Sequence, residues 1–121
     1  MHLKNITQQA IDNSYFRNVL ATGKNTQIVI MSIDVGSEIG SETHANNDQV
    51  LYLVGGRGRV VLDGEEKPFE KGDIVLVPAG TKHNFITEGD EPMKIITAYS
   101  PPNHPVGTIH KTKAEADSSQ T

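Results

Sequence analysis

The chain contains no cysteine. Disulfides, thiolate metal sites and cysteine nucleophiles are excluded with it. Tryptophan is also absent, and three Phe and three Tyr are all the aromatic residues there are. That supply is too thin for a platform that stacks the bases of single-stranded nucleic acid. No apolar run approaches the ~20 residues needed to span a bilayer as a helix. Positive charge is not concentrated anywhere. Eleven Lys and Arg are spread from Lys4 to Lys113 against fifteen Asp and Glu, for a net charge of −4. A nucleic-acid partner calls for a basic stripe, and the sequence has none. The first ten residues are too polar for the apolar centre of a secretory signal. These absences predict a protein without nucleic-acid or membrane partners, and the lack of an export signal predicts a cytoplasmic location.

What is present suits one folded domain. The chain has 121 residues, 36% hydrophobic and 21% charged, enough for a single core and too few for two. Residues 5–14 predict a short helix, with Asn5 or Thr7 as its cap, lying on the outside of the main body. From Phe16 onward, short Val-, Ile- and Leu-rich runs alternate with Gly, Asn, Asp and Pro. The runs are FRNVLAT, QIVIMSIDV, QVLYLV, GRVVLD, DIVLVP, HNFIT and KIITAYS. They read as seven or eight strands of a sandwich or barrel. Asp63–Gly64 reads as a two-residue hairpin turn. Helical repeats between the strands are missing, which argues against a parallel α/β sheet. From Pro101 the prolines stop any ladder, and a polar tail follows, briefly helical and frayed at its end. The chain thus divides into an N-terminal arm (1–20), a β domain (21–100) and a tail (101–121).

Glu42 and His44 stand two apart, so an extended backbone points both to one face. Gln49 follows at the start of the next apolar run. His83 lies just after the turn at Pro78–Gly80, and in a small antiparallel barrel it can be a neighbour across strands. One carboxylate and two imidazoles suit iron, manganese, nickel or zinc as divalent ions, and such a set leaves positions open to substrate. The residue types alone leave Gln49 open between a neutral ligand and a buried, hydrogen-bonded amide. Asp48, adjacent in a strand, is expected to face solvent. Arg57 and Arg59 could grip an anion but read better as a solvated strand edge. His104 and His110 could cap the barrel mouth, but a Pro-rich tail is more simply exposed.

The stretch Gly36–Gly56, GSEIGSETHANNDQVLYLVGG, resembles the first cupin motif. In that motif two His, a Glu and flanking glycines recur at the spacing at which Gly36, Glu42, His44, Gln49 and Gly56 stand here. The stretch from Gly72 to Thr87, GDIVLVPAGTKHNFIT, resembles the second motif through Gly72, Pro78, Gly80 and His83. Thr87 replaces its final Asn, and Glu42 and Gln49 depart from the usual set of three His and one Glu. The resemblance implies an all-β double-stranded β-helix, or jelly roll. It also implies a homodimer and an interior divalent metal held by Glu42, His44, Gln49 and His83. A closer likeness, through Asp48–Gln49 and the tail YSPPNHPVGTIHKTKAEA, is to small cupins of the mannose-6-phosphate isomerase-like type. Three functions follow as expectations: a metal-dependent, isomerase-like enzyme acting on a small polar molecule; an iron(II) or manganese oxygenase; and a module that binds or senses a small ligand without turnover.

Overall fold

The computed structural model describes residues 1–119; Gln120 and Thr121, at the end expected to fray, lie outside the described residues. Among the described residues, nine strands form two antiparallel sheets. In chain order they are β1 (Arg17–Thr22), β2 (Gln27–Ile33), β3 (Asp48–Gly55), β4 (Arg57–Leu62), β5 (Glu65–Phe69), β6 (Ile74–Val77), β7 (His83–Glu88), β8 (Met93–Ser100) and β9 (Ile109–His110). The larger sheet runs β6-β3-β8-β2-β1-β9 and the smaller β5-β4-β7. This is the expected all-β jelly roll. The core between the sheets gathers Met31, Ile33, Leu51, Leu53, Phe69, Phe85, Met93 and Ile95, all fully buried.

The burial pattern explains why the runs read as they do. β7 and β8 are covered on one face and alternate buried with partly exposed residues. β2 is buried almost throughout, because a second cluster covers its other face. There Ala10, from the short helix α1 (Ile6–Asp12), packs on Ile30 and Val54. The helix therefore lies outside the barrel as expected, but its cap does not form. Asn5 has φ 52°, in the left-handed region, and its side chain caps nothing. A capping side chain needs extended backbone to reach back to the first turn.

Two elements differ from expectation. β5, EEKPF, is absent from the apolar runs because four of its five residues are exposed. It sits at a sheet edge, where Pro68 removes no needed donor. The Asp63–Gly64 turn that joins it to β4 has positive φ at both residues, 48° and 84°, as a two-residue hairpin requires. The tail is the larger correction. It folds back so that β9 pairs with β1, and the helix α2 (Lys113–Ser118) buries Ala116 in the main core.

Candidate metal centre

Local pairing brings Glu42, His44 and His83 together. The segment between β2 and β3 has no strand of its own but is laced to β7. Ile39 N–H bonds to the Phe85 carbonyl at 2.9 Å, and Glu42 and His83 exchange both backbone bonds at 2.9 Å. His44 is held from behind, its carbonyl accepting from Gly80 N–H at 2.8 Å. The Pro78–Gly80 turn is itself fixed by the exposed Asp48, whose Oδ1 accepts from Ala79 N–H. The result is one carboxylate and two imidazoles with a ligand atom each within 4.8 Å of one another.

The hydrogen bonds set the protonation pattern. His83 Nδ1 lies 2.9 Å from the Thr81 carbonyl, which can only accept, so Nδ1 carries a proton. In the neutral ring, Nε2 is then a lone pair. It is buried without a hydrogen-bond partner and lies 3.6 Å from Glu42 Oε1. The same carboxylate oxygen is 3.2 Å from His44 Nε2. A lone pair facing a carboxylate calls for a positive charge between them. Without a metal, a proton fills that role. Burial alone would lower the His83 pKa, but Glu42 and the Thr81 carbonyl outweigh it and raise it. Burial would likewise raise Glu42, yet the His44 hydrogen bond and the closeness of both imidazoles hold it down at about 2. A divalent ion would take the proton's place, and a fixed Nδ1–H is the usual device for aiming Nε2 at a metal.

Gln49 presents a second unpaired acceptor. Its Nε2 donates to Thr97 Oγ1 at 3.0 Å, and that hydroxyl in turn donates to the Val50 carbonyl at 2.8 Å. The amide is thereby oriented, and its buried Oε1 has no hydrogen-bond partner. Gln49 pairs directly with Tyr99 across β3 and β8, so both face the interior, where the Tyr99 ring meets His44 edge-on at 5.6 Å. Glu42, His44 and the orphaned Nε2 of His83 fit a divalent cation, and Gln49 offers a second orphaned acceptor from the facing sheet.

Arg57 and Arg59 lie on the middle strand of the small sheet and pair at the surface with Glu88 and Glu66. They are remote from the triad. His104 and His110 are not exposed as expected. His104 stacks edge-on against Tyr99 at 5.1 Å, and burial with the nearby Arg17 charge pushes its pKa down to about 4. The tail is pinned there by Gln27, fully buried, which receives Asn103 and His104 N–H and donates to the His104 carbonyl at 2.7 Å. Sequence reasoning missed Thr97, Tyr99, Arg17 and Gln27. Alternation through KIITAYS could have placed Thr97 and Tyr99 inside. For Arg17, alternation with the apolar Val19 is the one local sign, and nothing local marks Gln27.

The sequence model of the cupin domain family matches residues 29–99. Among curated proteins, the chain is 44% identical to the uncharacterized protein YrkC of Bacillus subtilis, over 93% of this chain and 63% of that one. It therefore spans less than two thirds of that relative. It is 30% identical to quercetin 2,3-dioxygenase of the same organism over 55% of this chain and 21% of the enzyme. Among solved structures, BH2720 of Bacillus halodurans superposes with a TM-score of 0.96 at 38% identity, covering 98% of this chain and 94% of that one.

Proposed function

This chain belongs to the cupin domain family, and from that premise we propose that it is a metal-dependent enzyme acting on a small polar molecule. The observation that carries the reading is the buried Nε2 lone pair of His83, aimed at Glu42 beside His44 and without a hydrogen-bond partner. Glu42, His44 and His83 would hold the ion, with Gln49 Oε1 as a neutral fourth ligand. When bound, the ion would supply Lewis-acid or oxygen-activating chemistry. The protein's own residues orient and insulate the site. Thr81 and Thr97 aim two ligands, and Tyr99 with His104 closes the interior on the tail side.

Of the two enzymatic readings, the iron(II) or manganese oxygenase fits better than the isomerase-like one. Two His and one carboxylate with open positions form the ligand set of non-haem iron oxygenases. An isomerase needs a base beside the substrate carbon. Glu42 is committed to the two imidazoles, and Tyr99, buried, has its pKa raised against ionising. The partial likeness to quercetin 2,3-dioxygenase points the same way. Elemental analysis of protein purified without chelators, beside the His44→Ala/His83→Ala variant, tests the centre. Near-stoichiometric metal lost in the variant is expected; no uptake after reconstitution with iron, manganese, nickel or zinc would refute it. Oxygen uptake that needs both iron(II) and substrate would then separate oxygenase from isomerase.

We further propose that the protein works as a homodimer. β6 is a sheet edge, with Ile74 67% and Leu76 58% exposed beside the half-exposed Tyr52. An apolar edge of this kind is self-complementary under a two-fold axis, and a second copy would close it.

A further inference from the structure

Arg17 is the one buried cation of β1, only 5% exposed. Alternation with Val19 turns it inward. Among the described residues no carboxylate comes within ion-pair distance of it, although every exposed Arg has such a partner. Its Nη1 lies 3.0 Å from His110 Nδ1. A guanidinium can only donate, so that ring is a neutral acceptor and adds no negative charge. Its Nε is buried with no partner among the described residues. The Phe16 ring, its centroid 5.2 Å from the guanidinium carbon, offsets part of the cost of burying this cation, and no described carboxylate offsets the rest.

The guanidinium opens on a cavity of about 310 Å³ between β1 and the tail, lined also by Asn103, His104, Thr108, His110 and Ala116. Glu115, on the adjacent helix, is exposed and makes no bond to Arg17. His104 and His110 both have lowered pKa values, from burial first and the Arg17 charge second, so among the described lining residues the full charge near neutral pH is that of Arg17, with the exposed Glu115 acting on His110 from the adjacent helix.

We propose that this cavity is a second ligand site, which takes the carboxylate of a small organic acid against Arg17. A single fixed cation with neutral imidazole and amide neighbours matches a monoanion better than a dianion, and a guanidinium edge matches the two oxygens of a carboxylate. The site lies behind Tyr99 from the triad and does not depend on the metal reading.

The test follows the Arg17 Nε–H signal and the Thr108 and His110 amides by NMR. Sodium acetate and inorganic phosphate are titrated at neutral pH, with sodium chloride at matched ionic strength. Saturable shifts with acetate in the millimolar range, absent with chloride and lost in Arg17→Met, are expected. Arg17→Met should keep or gain thermal stability without acid and should keep its metal content, so the two sites fail independently. Arg17→Lys, which retains the charge without the fork, should weaken acetate binding at least about tenfold. Unsaturable shifts, equal shifts with chloride, or unchanged binding in either variant would overturn the site. Tighter binding of phosphate than of acetate would overturn the carboxylate assignment.

Discussion

At the scale of single residues, the hydrogen bonds behind each ligand matter as much as the ligand. Thr97 orients Gln49 through a hydroxyl whose own proton is committed to Val50. Thr97→Val keeps the shape and frees the amide to turn. Such supporting partners are typically worth 10–100-fold, so metal affinity should fall by at least about tenfold in a competition titration with a chromophoric chelator. Protons compete for the same atoms. His83 holds its proton more tightly than a free imidazole of pKa 6.5, and a metal must displace it. Loading should therefore fall off at a higher pH on acidification than it would with an ordinary imidazole of pKa 6.5 in the place of His83. Metal occupancy measured across pH 5–8 checks this, and His83→Ala should flatten what remains. The candidate ligands themselves were legible in the sequence, because Glu42, His44 and His83 stand at a recognisable spacing. Their supports were not, since Thr97 and Thr81 act through contacts that no spacing encodes.

Single elements show where backbone and pH set the limits. Gly58 lies in β4 where a Cβ would sit 2.1 Å from the Ile86 carbonyl and 2.6 Å from Met93 Sδ. Gly58→Ala must push β7 and the Met93 side chain away from β4, and a loss of about 1–3 kcal/mol is expected from overpacking, read as a lowered midpoint in denaturant. The tail responds to acid. His104 has a folded pKa of about 4 against an ordinary 6.5, so the unfolded chain takes up a proton that the folded chain refuses. Stability from the docked tail is complete above pH 6.5 and declines as pH falls from 6.5 towards 4. Amide protection of Thr108 and Ile109, corrected for intrinsic exchange, should drop over that window. His104→Phe keeps an aromatic ring beside Tyr99 without a titrating group and should shrink the drop to the smaller part that His110, whose pKa is also lowered, contributes. The strands with alternating or apolar runs could be read directly. β5 could not, because an edge strand with four exposed residues carries no hydrophobic period.

For the molecule as a whole, the exposed edge of β6 sets the expected assembly. Leu76→Lys places a charge on that edge, where it would oppose pairing with a second copy. Light scattering at micromolar concentration should report a dimer for the wild type and a monomer for this variant, with unchanged far-UV dichroism. A wild-type monomer would refute the dimer.

The sequence by itself determined the class of fold, the outer helix and the three residues that could share an ion. The strands and the Glu42–His44 pair rest on local period, which a strand translates directly into a face; the jelly roll and the placing of His83 beside that pair rest on the resemblance to the cupin motifs. Only the tertiary structure decided that the tail docks on β1, that Gln27 pins it and that Arg17 is buried with no counter-charge among the described residues. Those outcomes join segments more than 75 residues apart, such as Gln27 to His104 and Arg17 to His110. The energy of a buried polar group depends on which partners surround it, and only the folded chain brings those partners within reach.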